Sequence, residues 1–140
     1  MTGDFIQSNR WRDASILIVD DLTSMRKVLR KLLHSIGFAR VTEARDASEA
    51  VTKLQSESFD LIISDWNMPT MTGQELLEYV RGDLRFKDVP FVMLTSLADR
   101  DSVVAALRSG VSDYLAKPFT VQELEQKLTS VWSRGGEVCK

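Results

Sequence analysis

Short runs of consecutive apolar residues alternate along this chain with longer segments in which apolar residues recur every three or four positions. "SILIVDD" from Ser15 is β-branched and uninterrupted until two acids close it, the pattern of a strand covered on both faces. "VTEA" from Val41, "FDLIISD" ending at Asp65, "PFVMLTS" from Pro90 and "DYLAKPF" from Asp113 repeat that texture. Helical spacing fills the intervals. Met25, Val28, Leu29, Leu32, Leu33 and Ile36 form one stripe, Ala47, Ala50, Val51 and Leu54 a second, and Leu76, Leu77 and Val80 a third within Gly73 to about Arg81. "DSVVAALRSGV" is a fourth helix, and Val121, Leu124, Leu128 and either Val131 or Trp132 face inward from a fifth. Thr23 or Ser24 is expected to cap the first helix and Gly37 to end it.

Five repeats of strand then helix predict an α/β, doubly wound, five-stranded parallel sheet with helices on both faces, because each crossover is right-handed and lays its helix on one side or the other. In such sheets ligands bind outside the carboxyl ends of the strands. The polar residues at those ends are therefore the candidates for chemistry: Asp20 and Asp21, Asp65, Thr95 and Ser96, and Lys117 with Pro118. Converging carboxylates repel one another, so the site must hold a proton or a hard cation, and oxygen ligands of this kind suit Mg²⁺. A carboxylate, a hydroxyl, an ammonium and Mg²⁺ together form a set that stabilises a transferring phosphoryl group. Asp65 is the candidate nucleophile, which would form an acyl phosphate.

Composition narrows the classes. The 140 residues, 44% of them apolar, suit one domain with a single core. With 18 basic and 20 acidic residues the net charge of -2 gives no overall positive field, so no direct nucleic-acid contact is expected. No apolar run approaches the roughly 20 residues of a membrane span, and the polar start lacks the hydrophobic region of a secretory signal. No membrane insertion and a cytoplasmic location are expected, in keeping with a lone tail thiol, Cys139. His34, between Leu33 and Ser35, reads as a surface or boundary residue rather than a relay histidine. Trp11 is expected to pack an N-terminal segment against the domain. Asp99 or Asp101 is the candidate cap for the fourth helix.

"LIVDD", "SDWNMPTMTG", "LTS" and "AKPF", in this order, resemble the receiver domain of two-component response regulators. "SDWNMP" with "KPFT" is most similar to its single-domain chemotaxis members of the CheY type. The resemblance covers residues 14–132, leaving an N-terminal extension, 1–13, and a C-terminal tail, 133–140. It implies a flavodoxin-like strand order of 2-1-3-4-5. It also implies that Asp65 accepts a phosphoryl group from a histidine kinase or phosphotransfer protein. Asp21 and the Asn67 carbonyl would bind Mg²⁺ directly, with Asp20 acting through water and Asp65 completing the metal set. Thr95 and Lys117 would contact phosphoryl oxygens, and Tyr114 would turn inward as Thr95 moves. The Lys117–Pro118 bond is expected to be cis.

The implied output is a downstream protein bound on the face made by the fourth helix, fifth strand and fifth helix. Asn67 and Leu97 would tune the phosphoryl lifetime, Leu97 by covering the site where fast hydrolysers carry a glutamate. The rival reading is an aspartyl-phosphate phosphatase similar to the haloacid dehalogenases, although those place the nucleophile after the first strand. Only eight residues follow Trp132, so the chain is expected to be either a stand-alone receiver or a receiver cut from a longer regulator.

Overall fold

The computed structural model of the chain describes residues 13–96 and 100–133, with side chains described except at 100–103 and 133. Five strands, β1 (Ser15–Val19), β2 (Arg40–Ala44), β3 (Leu61–Asp65), β4 (Phe91–Ser96) and β5 (Asp113–Lys117), alternate with five helices. These are α1 (Thr23–Ile36), α2 (Ala47–Ser56), α3 (Gly73–Arg81), α4 (Arg100–Arg108) and α5 (Val121–Ser133). The strands pair in parallel in the order β2-β1-β3-β4-β5. This is the doubly wound sheet that the alternation of patterns predicts.

Side chains leave a strand on alternate faces, so the sheet divides the core in two. Ile16, Ile18, Leu61, Ile63, Val92, Leu94 and Leu115 pack under α1 and α5, against Leu29, Leu33, Leu124, Leu128 and Trp132. Leu17, Val19, Ile62, Phe91 and Met93 pack under α2, α3 and α4, against Ala50, Leu54, Leu76, Leu77, Val80 and Ala106. Continuous burial of β3, Asp65 included, explains why its sequence lacks polar alternation.

Helix α1 carries two corrections. No side chain caps α1, since Leu22 occupies the capping position and makes no side-chain cap bond. The expected role of Thr23 or Ser24 is therefore not realised, and Thr23 opens the helix itself. The Leu22 N–H is held instead by Asp20 Oδ1 at 2.9 Å. Val28, expected to face inward, is 50% exposed, because the apolar arc of α1 is wider than the strip that meets the sheet. Elsewhere the caps follow local rules: Asp46 accepts from the Glu49 N–H at 2.8 Å, and Thr72 and Glu75 form a reciprocal capping box. Gly37 ends α1 at φ 126°, a left-handed conformation that favours glycine.

Candidate functional site

The same alternation that builds the core brings the polar strand ends together. Asp20, one step past β1, Asp65 at the end of β3 and Lys117 at the end of β5 share the parity of Ile18, Ile63 and Leu115. All three therefore project from the α1/α5 face at the carboxyl edge of the sheet. Lys117 Nζ lies 3.1 Å from Asp65 Oδ1 and 3.6 Å from Asp20 Oδ2. Carboxylate oxygens of Asp20, Asp21 and Asp65 all lie within 4.8 Å of one another. Three acids and one lysine give this edge a local charge of two negative units.

Burial differs sharply within the cluster. Asp20 is fully buried, Asp65 is 8% exposed and Thr95 2% exposed, whereas Asp21 and Asn67 are exposed. The Asp20 carboxyl is pushed above its ordinary range chiefly by burial, with the neighbouring charges of Asp65 and Asp21 adding to the rise; the Leu22 N–H and the Lys117 ammonium oppose it. Asp20 Oδ2 is buried and accepts no hydrogen bond. A buried carboxylate oxygen left without a donor, beside two further carboxylates, fits a small hard cation, so the residues present suit Mg²⁺.

Thr95 sits opposite Ala116 and Tyr114 opposite Met93 across the β4–β5 ladder. Thr95 and Tyr114 thus share the other face of the sheet, diagonal to each other. Tyr114 is half-buried against the α2–α4 core, and Lys127 Nζ of α5 lies 5.4 Å from its ring centroid. The Lys117–Pro118 peptide is cis. Trp66 is half-buried against the α2–α4 core beside Asp65, and His34 is exposed. Leu97, Asp99, Trp11 and Cys139 lie outside the described residues, as does the side chain of Asp101.

Several groups that shape this edge escape a reading of motifs. Ser64 is buried and donates its hydroxyl to the Asp65 carbonyl at 3.0 Å. Gly73 opens the third helix in the sequence; its larger constraint is that a Cβ there would lie 2.3 Å from the Asp65 carbonyl oxygen. Its N–H donates to the Trp66 carbonyl at 2.8 Å, so α3 begins directly beneath the acid. Arg26 donates to the Asp20 carbonyl at 2.8 Å. A glycine eight positions after the acid and an arginine early in α1 are the available signals.

Comparison with known proteins agrees with this geometry. A family model described as the response regulator receiver domain matches residues 16–129. The chain is 44% identical over 119 residues to the chemotaxis protein CheY of Pseudomonas aeruginosa, an alignment covering 85% of this chain and 96% of that one. Chemotaxis protein CheY-3 of Vibrio cholerae is 39% identical over 123 residues, covering 88% and 95%. The crystal structure of Vibrio cholerae chemotaxis protein CheY4 superposes with a TM-score of 0.79 at 37% identity, covering 85% of this chain and 98% of that one. Among the described residues no helix is long and apolar enough to cross a membrane. By its fold, its clustered strand-end acids and these matches, the chain belongs to the response regulator receiver domain family of two-component signalling, among its CheY-like members.

Proposed function

We propose that this receiver is a phosphoacceptor switch in which Asp65 takes a phosphoryl group from the phosphohistidine of a histidine kinase or phosphotransfer protein. The observation that most supports this is the Lys117 ammonium 3.1 Å from Asp65 Oδ1, within a cluster of acids at the open edge of the sheet. In the reaction a carboxylate oxygen of Asp65 attacks phosphorus and the N–P bond to the donor imidazole breaks, its electron pair staying on the imidazole nitrogen. Strand β3 aims the nucleophile, since Asp65 is fixed by the ladder to β4 on one side and by Ser64 through its carbonyl. Lys117 neutralises charge on the carboxylate before transfer and on the phosphoryl oxygens after it.

Asp20, Asp21, Asp65 and the Asn67 carbonyl would hold Mg²⁺, which supplies positive charge to the equatorial oxygens. The Thr95 hydroxyl donates to a phosphoryl oxygen, drawing the end of β4 toward the site and making room for Tyr114 on the same face. Such a step alters the α4–β5–α5 surface, where a downstream protein partner docks. Incubation with Mg²⁺ and acetyl phosphate should add one phosphoryl group by intact mass, and Asp65→Asn should remove that addition. Labelling of the Asn variant at the wild-type rate would refute the assignment. Leu97, two residues beyond Thr95, is apolar and cannot orient an attacking water. Leu97→Glu should therefore hasten loss of radiolabelled phosphoryl several-fold, about 1 kcal/mol of barrier; equal or slower decay in a folded variant would remove the shielding role.

A further inference from the structure

Asp20 is bound on almost every side. Its N–H donates to the Ala44 carbonyl at 3.1 Å, its Oδ1 accepts from the Leu22 N–H at 2.9 Å, and its carbonyl accepts from Arg26 Nη1 at 2.8 Å. Oδ2 alone makes no hydrogen bond, and it is the oxygen that faces Lys117 within the acid cluster. The backbone supplies two of those ties wherever the sheet and loop form. The third comes from one side chain, and that side chain is itself held: Arg26 Nε donates to Glu43 Oε1 at 3.1 Å and Nη2 to Thr23 Oγ1 at 3.2 Å. Glu43 is anchored in turn by Arg30 through its other oxygen at 2.8 Å. The Arg26 side chain is only 14% exposed.

We infer that Arg26 is a positioning residue for the cation site: its guanidinium, fixed on β2 through Glu43, clamps the Asp20 carbonyl so that the Asp20 and Asp21 carboxylates are presented to Mg²⁺. The inference rests on the cation site proposed above. A planar guanidinium suits this task because its fork engages two acceptors in fixed relative positions, which an ammonium does not reproduce. Groups behind metal ligands commonly set affinity in this way by fixing the orientation of the ligands themselves.

The sign of the effect distinguishes this role from simpler ones. A cation beside an acidic site repels Mg²⁺, so charge alone predicts that Arg26→Gln binds Mg²⁺ more tightly. Positioning predicts the reverse, a dissociation constant raised about tenfold, read from a Mg²⁺ titration of tryptophan emission with no phosphodonor present. Arg26→Lys keeps the charge and loses the fork, so it should raise the constant about threefold, and it carries the test where the Gln variant does not fold. Melting temperature is measured alongside. A lower melting temperature with a wild-type Mg²⁺ constant in both variants marks a purely structural arginine and overturns the inference, as does equal or tighter binding in folded Arg26→Gln. Loss of the saturable response in wild type, or a wild-type response in Asp21→Ala, refutes the cation site itself.

Discussion

A part-buried cation at one end of the sheet and a fully buried anion at the other are treated in opposite ways. Arg81, at the end of α3 near the amino ends of β4 and β5, gives its guanidinium N–H groups to the carbonyls of Gly110 at 2.7 Å, Lys87 at 3.0 Å and Val89 at 2.6 Å, and to the Ser112 hydroxyl. Burial lowers its pKa from the ordinary arginine value, with Asp88 opposing, yet its donors are met by fixed acceptors. Asp20, at the carboxyl end, is fully buried, more so than Arg81, yet keeps one oxygen without a hydrogen bond. The cation that ties loops together has its donors met within the chain; the anion does not have both oxygens met, which suits the cation site proposed for it. An incompletely satisfied buried group of this kind calls for an explanation, and the proposed site supplies one.

The largest effect expected from this contrast is at Arg81. Arg81→Met keeps the apolar stem and withdraws every donor, leaving three carbonyls and part of the Ser112 hydroxyl's partners behind. A loss of about 2 kcal/mol is expected, since part-buried acceptors left without donors cost more than the bonds themselves return. Urea unfolding should show a lower midpoint at unchanged slope. Phosphoryl incorporation per folded molecule should stay at the wild-type level, because none of these contacts reaches the acid cluster. An unchanged midpoint would mean that the carbonyls find water instead.

A smaller effect, of opposite sign, is expected at Asp20. Its folded pKa lies above the ordinary 3.8, so the native state holds a proton more tightly than the unfolded chain. Between 3.8 and the raised value, stability without metal therefore falls as pH rises, and above the raised value the whole penalty of the buried charge is present. Asp20→Asn removes that penalty and should stabilise the metal-free protein at neutral pH by on the order of 1 kcal/mol, while flattening this part of the pH dependence. Mg²⁺ should raise the melting temperature of wild type more than that of the variant, and less as pH falls through the raised pKa, where proton and metal compete. Thermal unfolding in chelator and in Mg²⁺ across acid pH measures both. Destabilisation of the metal-free Asn variant would show that Lys117 and Leu22 already compensate Asp20.

The unequal legibility of the two ends follows from the same physics. Strands covered on both faces advertise themselves as unbroken apolar runs, and any polar residue closing one is conspicuous; Asp20, Asp65 and Thr95 stand out for that reason. Parity then carries Asp20, Asp65 and Lys117 to one face without further information. Arg81 and Arg26 leave a far weaker trace, because an arginine on an amphipathic helix looks like solvent-facing charge until the groups that bind it are in place. The cap of α1 was obscured differently. Asp20 holds the Leu22 N–H two residues on, an Asx turn ahead of the helix in place of a side-chain cap at its first residue, so a search for Ser or Thr at the helix start finds Thr23 in the wrong role. Val28 misleads because periodicity reports an apolar arc but not the width of the contact beneath it.

The smallest effect concerns strain, which also separates the two ends. Among the described residues with positive φ, Gly37 and Gly110 are glycines, and Gly110 lies at the Arg81 end; the third is Thr70, at φ 72° between β3 and α3. The Met71 N–H donates back across it to the Pro69 carbonyl at 2.8 Å, closing a three-residue turn in a conformation that a β-branched side chain rarely adopts. Such positions cost on the order of 1–3 kcal/mol and persist where the surroundings over-determine them. Here the over-determination is visible directly after the turn, in the cap of α3 by Thr72 and in Gly73 pressed beneath the Asp65 carbonyl. Asparagine tolerates this region better than threonine without the full chain entropy of glycine. Thr70→Asn should therefore raise stability by less than about 1 kcal/mol, seen as a small upward shift in the urea midpoint. If the loop holds its strain only to position the turn below Asp65, acetyl phosphate labelling will be unchanged. A slower labelling rate in the stabilised variant would instead show that Thr70 itself contributes at the open edge of the site, and a lower midpoint would show that its hydroxyl offsets the strain.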